Sequence, residues 1–345
     1  MAVFLVTAAL VIGAERTGTP QYTDPAGRLF ADFGIPVRNR PVSLAVYSNT
    51  AYVIGKDGTL VMVDTAAGAT LATITLGSAP GEAVLNPDSK LLYVTNGDRA
   101  NKNWVDVVDT ATRTVKQSIT VGAKATDIAI DQSVDSVYVV GEGSGSGISL
   151  LEVIDIRTNS VVAELPIRGS VFDLAVDPST HLVYASVRRE GGGHGEGTVV
   201  VIDGPKRSIT ATLPLPGNAY RLAVDPEAHT LFVEGEVDSE DGPTVFHVID
   251  TRTRAVTGEI AVDGSVAGIA VDPLARVFYT FGHSTPAGSQ TRVSMIRAYD
   301  TDARAASAEA VVRSGMPLGG NGIAVDPATG RVFVIDEIKL YPLAR

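Results

Sequence analysis

The 345-residue sequence contains no cysteine. That excludes disulfide staples, thiolate metal sites and a cysteine nucleophile, and it fits any compartment. Basic runs are missing too. Pairs such as Arg188-Arg189 and Lys206-Arg207 stand alone, and the formal net charge is −11 with a pI near 4.9. Such an acidic surface repels phosphate backbones unless a basic patch is segregated, so nucleic acid is not the expected partner. Long apolar runs are scarce. The N-terminal MAVFLVTAALVIGA holds about a dozen apolar residues, too short for a transmembrane helix. It resembles the apolar core and cleavage site of a secretory signal, without the basic leader; the other reading is a buried β-strand. The expectation is a signal-like or flexible segment over 1–20 and a single domain over 21–345. A secreted or extracytoplasmic monomer with no other membrane insertion follows from that division.

What the chain does have is glycine (35 residues), proline (18) and 45% hydrophobic residues, enough for a sizeable core and against global disorder. Four phrases recur in fixed order. The first resembles GIAVDP: SLAVYS (43–48), EAVLNP (82–87), DIAIDQ (127–132), DLAVDP (173–178), RLAVDP (221–226), and GIAVDP at 268–273 and again at 322–327. The second resembles LYV, beginning at Ala51, Leu92, Val137, Val183, Leu231, Val277 and Val332. The third resembles VIDT and reaches its Asp at 64, 109, 155, 203, 250 and 300. The fourth is typified by TLATITL, VKQSITV and VVAELPI. Each phrase is short, β-branched and bounded by Gly, Pro, Asp or Asn, which is strand chemistry with turn punctuation. Four strands every ~40–50 residues is the spacing of a β-propeller blade. The repeated Asp residues read as turn caps, and His181 and His229, in equivalent turn slots, as surface turn residues.

The fold predicted is therefore all-β: a seven-bladed β-propeller with four antiparallel strands per blade. The seventh unit ends after IKLYPL (338–343) without a fourth strand. TDPAGRLFADFGIPV (23–37) supplies the missing piece, so an N-terminal strand over 28–37 is expected to close the last blade and remove its open edge. The weak spot is ARAASAEAVVRSG (303–315). It should be a fourth strand, yet it is alanine-rich and could form a helical insertion.

LLYVTNGDRANKNWVDVVDTATRTVKQSITVG (91–122) resembles the repeat of the YVTN β-propeller family, with Tyr93-Val94-Thr95-Asn96 matching literally. Looser matches extend over residues 23–343. The resemblance implies a seven-bladed ring, often extracytoplasmic, acting as a binding module or accessory protein. A similar ring carries lactonases, but no lactonase motif matches residue by residue. The Gly-His and Trp-Asp dipeptides of WD40 blades do not recur.

Candidate site residues come from departures from the repeat. Two positions before the recurrent Ala of the first strand stand Ser43, Glu82, Asp127, Asp173, Arg221, Gly268 and Gly322. The position before that gives Val42, Gly81, Thr126, Phe172, Tyr220, Ala267 and Asn321. Three carboxylates, an arginine and two aromatics thus fall on one arc of the ring. They read either as a ligand pocket or as caps on inter-blade N–H groups, with Arg221 neutralising them. In the pocket reading Arg221, Tyr220, Phe172, Arg188 and Asn321 contact the ligand. In an enzyme, Glu82, Asp127, Asp173 and His194 supply the acid and base.

The loops between second and third strands fall on the same face, where function usually sits. RREGGGHGEG (188–197) lacks a P-loop signature. Its Glu190, His194 and Glu196 form at most a weak metal set, so no metal site is assigned; the sequence leaves any cofactor unknown. The acidic run Glu234, Glu236, Asp238, Glu240 and Asp241 reads as a solvated loop, with calcium as the alternative. Gly143-Ser144-Gly145-Ser146-Gly147 has the spacing of a nucleophile elbow but not the strand-to-helix context. The leading expectation is a propeller that binds a small molecule, peptide or protein through its loop-rich face. The alternative is a lactonase, hydrolase, isomerase or cyclase using the same mouth.

Overall fold

The computed structural model describes residues 21–23, 29–31, 35–37, 40–98, 100, 102–143, 147–188, 197–236, 244–284, 293–313, 322–335 and 339–344. His194 and Asn321 lie outside them, as do Glu190, Glu196, Asp238, Glu240, Asp241 and Ser144–Ser146.

The chain forms seven sheets that follow one another in sequence. Blade one consists of Pro41–Tyr47, Thr50–Gly55, Thr59–Asp64 and Ala69–Thr75. The blades that carry the site repeat this plan, and their first strands are Ala83–Asn86, Lys124–Asp131, Ser170–Asp177 and Leu222–Asp225. Blade six begins with Ser265–Asp272 and blade seven with Ile323–Val325. Each first strand packs beside the next, and the seventh packs beside the first, so the ring is closed.

The closure is more elaborate than a single strand. Leu29–Ala31 and Ile35–Pro36 both pair with Lys339–Ala344, through Phe30↔Leu343 and Ile35↔Leu340. Gln21–Thr23 then adds one strand further out. The alanine-rich segment is not helical: Ala305–Arg313 is the fourth strand of blade six, paired along Val293–Asp300. Packing against a formed sheet overrides the weak helical preference of alanine.

The second and third strands are near-continuous apolar runs because both their faces are covered by neighbouring blades. The core is accordingly seven apolar clusters, one at each blade–blade seam. The seam between blades three and four, for example, buries Tyr138, Leu151, Val183 and Val187.

The turn aspartates do what their sequence context implies. Asp177, Asp225 and Asp272 are buried and accept backbone N–H groups of their own turns, from Ser179, Ala228 and Ala275 respectively. Asp326 goes further. It accepts the N–H groups of Ser48 and Asn49 at 3.0 and 3.2 Å and so ties blade seven to blade one. His181 ends its turn with a left-handed φ of 58° and places Nδ1 2.9 Å from Asp131 Oδ2 on the neighbouring blade, a structural clamp between two turns.

Candidate functional site

The arc read from the repeat converges on one cavity of about 370 Å³ at the end of the first strands. Glu82, Asp127, Phe172, Asp173, Tyr220 and Arg221 all line it, with Ser43, Leu44 and Ile269 completing the opposite wall. Backbone irregularity aims these side chains. The first-to-second-strand ladder skips one residue at Val42, at Thr126, at Phe172 and at Ala267. Each skip is a β-bulge immediately before the mouth position, and bulges re-aim the side chains around them. Phe172 is such a bulge residue. It keeps 39% of its surface exposed although it is a phenylalanine.

The carboxylates serve as caps as well as lining. Ser43 Oγ accepts the N–H of Ala83 at 3.2 Å. Asp127 Oδ2 accepts that of Leu174 at 2.6 Å, and Asp173 Oδ2 that of Leu222 at 2.7 Å. Each thus fastens a mouth residue to the first strand of the following blade. The capping reading of the arc holds for Asp127 and Asp173, and the same side chains also face the cavity.

Asp127 and Asp173 also hydrogen-bond each other. Burial, the charge of Asp173, that hydrogen bond and the charge of Glu82 push the Asp127 carboxyl well above the usual carboxylate range. Burial raises Asp173 as well, but the hydrogen bond from Asp127, the N–H groups of Leu222 and Leu174 and the charge of Arg221 pull it back. Both carboxyls of the pair are thus raised, Asp127 the more strongly, and they titrate as one coupled unit.

Arg221 does not take one of the arc carboxylates as its ion-pair partner. Its Nη1 lies 2.8 Å from Glu234 Oε2. Glu234 belongs to the strand Thr230–Glu236 rather than to an acidic loop. Burial raises its carboxyl, and Arg221 lowers it again. Above this pair, Tyr220 meets Phe172 edge to face, with ring centroids 5.3 Å apart and an interplanar angle of 75°. Arg188, at the end of its strand, places its guanidinium carbon 5.5 Å from the centre of the Phe172 ring. No group of three or more His, Asp or Glu able to hold a metal ion occurs among the described residues.

Sequence reasoning missed a second set of residues. Three positions before the third-strand Asp, several blades carry a buried polar side chain that grips the loop entering the same blade. Glu152 accepts the N–H groups of Gly122 and Ala123 at 2.9 and 3.0 Å. His247 Nε2 lies 2.9 Å from the Pro216 carbonyl oxygen, and Arg297 donates to the Asp263 carbonyl at 2.8 Å. A polar residue interrupting an apolar third strand was the available signal. Blade four has Val200 there, and a second cavity of about 870 Å³ lies between blades three and four, lined by Arg168, Thr198, Val200 and Ile209 among others.

Fold and mouth together define a seven-bladed β-propeller whose axis opens into a cavity walled by charged and aromatic residues. No protein-family description matches the chain, and no curated protein matches it. Among solved structures it is similar to Kuenenia stuttgartiensis hydrazine synthase, with a TM-score of 0.72, 15% identity, and coverage of 88% of this chain and 95% of that one. Likeness at that identity is likeness of fold.

Proposed function

We propose that the protein is an exported, YVTN-type propeller that binds a small molecule or a peptide at its loop-rich mouth. The observation that carries this reading is the gathering of Asp127, Asp173, Arg221, Phe172 and Tyr220 around one cavity. A concave site with a few placed polar groups beside apolar walls is the form ligand sites take. Export rests on the signal-like residues 1–20 and on the family resemblance. Among the described residues no helix is long and apolar enough to cross a membrane.

The hydrogen-bonded Asp127–Asp173 pair supports a second reading, an enzyme with Asp127 as general acid and Asp173 as general base. Binding is preferred because Asp127 Oδ2 and both oxygens of Asp173 already accept backbone N–H groups.

A thermal-shift panel of amines, carboxylates, sugars, lactones and short peptides tests the reading. At least one class should raise the melting temperature of the wild type and leave Phe172→Ala unmoved, although that variant stays folded. Turnover of a lactone lost in Asp127→Asn would select the enzyme reading. For export, expression with the native N-terminus should yield a chain of intact mass starting after about Ala14. Full-length chain retained in the cytosol would count against it.

A further inference from the structure

The reading of the mouth as a binding site can be deepened to a ligand class. Among the described residues, three carboxyl side chains and one guanidinium line the cavity: Glu82, Asp127, Asp173 and Arg221. The only cation among the four is already engaged, 2.8 Å from Glu234. A ligand in the cavity therefore meets carboxyl groups with no uncommitted positive charge from Arg221 to offset them. Burial raises the Asp127 and Asp173 carboxyls, and the charges of Asp173 and Glu82 raise Asp127 further. An anionic ligand is disfavoured on that balance.

The apolar wall points the same way by a separate observation. The face of Phe172 already carries a guanidinium, that of Arg188. Arginine stacks on aromatic faces and pairs with carboxylates through a planar fork, and both partner types meet at this mouth. Arg188 is not among the cavity-lining residues; it approaches the ring from the rim. The cavity volume of about 370 Å³ suits a small molecule or a single side chain.

We propose that the mouth takes a guanidinium-bearing ligand, held between the carboxylates of Asp173 and Glu82 and the Phe172–Tyr220 ring pair, with Arg188 standing on the ring as an internal substitute for it. The inference rests on the mouth being a binding site and adds what that site selects. A free small guanidine and the arginine side chain of a peptide share this chemistry.

Ligand-observed NMR titration of the full chain with ethylguanidine, its neutral isostere ethylurea and the anion propionate tests it. Ethylguanidine should bind at least tenfold more tightly than ethylurea, and propionate should show no saturable binding. Asp173→Asn and Phe172→Ala should each weaken ethylguanidine at least tenfold, with circular dichroism unchanged. Arg188→Ala should tighten it several-fold, because the internal competitor is gone. In a second arm, acetyl-Gly-Arg-Gly-amide is compared with its citrulline counterpart. Tighter binding of the arginine peptide than of ethylguanidine assigns the source to a peptide, and weaker binding assigns it to a free small molecule. Equal binding of ethylguanidine and ethylurea, or weaker ethylguanidine binding in Arg188→Ala, would overturn the proposal. Saturable propionate binding that Phe172→Ala abolishes would overturn the ligand class yet leave the mouth as the site. Binding of no probe would overturn the proposal and remove its support from the mouth.

Discussion

Deleting residues 1–37 will leave a protein that melts far below the intact chain and aggregates on size-exclusion chromatography. Deleting 1–20 removes none of the described strands and will leave the melting temperature essentially unchanged. The longer deletion removes Leu29–Ala31 and Ile35–Pro36, both paired with Lys339–Ala344. It also strips Ile35 and Val37 from the cluster they share with Val53, Phe333 and Leu340. Burial of those two side chains alone is worth about 3–6 kcal/mol, a large share of a typical domain stability of about 5–15 kcal/mol. The unpaired edge of Lys339–Ala344 then becomes a template for other chains. An intact melting temperature and a monodisperse profile after deletion of 1–37 would show that the ring does not depend on this closure.

Arg221→Ala will be the most damaging single substitution at the mouth, and its penalty will depend on pH. Glu234 keeps 9% of its side-chain surface and Arg221 32%, so the substitution leaves a carboxylate buried without its partner. Fully buried pairs broken in this way lose about 3–5 kcal/mol; the partial exposure of Arg221 reduces the expectation to roughly 2–4 kcal/mol. Burial already raises the Glu234 carboxyl, and the charge of Arg221 is the main influence opposing it. Without Arg221 the folded protein retains a proton on Glu234 that the unfolded chain releases at the ordinary glutamate value of 4.5. The folded state then binds more protons than the unfolded one, so its stability falls as pH rises above that value. The variant should lie close to the wild type near the acid end of this window and fall away from it toward pH 8. The double substitution Arg221→Ala/Glu234→Gln should recover most of the loss at pH 8, because no buried charge remains. Urea unfolding at the two pH values checks both statements. An equal loss at each pH, or no recovery in the double variant, would show that Arg221 acts through packing alone.

How much of this was legible beforehand varied with the physics. The repeat was legible because strand and turn chemistry recur at fixed spacing: Asp177, Asp225 and Asp272 cap their turns as their Asp-Pro contexts imply. The mouth arc was legible because the repeat holds the backbone constant, so departures such as Asp173 and Arg221 stand out. The bulges at Thr126 and Phe172 carry no composition of their own and became visible only in the ladder. The Arg221–Glu234 pair was hidden because Glu234 opens a run of acidic residues that reads as one solvated loop, whereas the strand continues to Glu236. The alanine-rich segment 303–315 is the fourth strand the repeat calls for; its composition left a helix open as the alternative because local propensity is weak against pairing with a formed neighbour. The grip of Glu152 on Gly122 and Ala123 spans about thirty residues, a separation that no local pattern encodes.

The most direct test of the mouth as the binding site is amide hydrogen exchange with and without the tightest-binding compound of the thermal-shift panel. The account predicts slowed exchange at residues 82–84, 126–128, 172–174 and 220–222, centred on the Ala83, Leu174 and Leu222 amides that the mouth side chains cap. Protection confined to residues 166–169 and 198–200, which border the cavity between blades three and four, would contradict it and move the site off the axis.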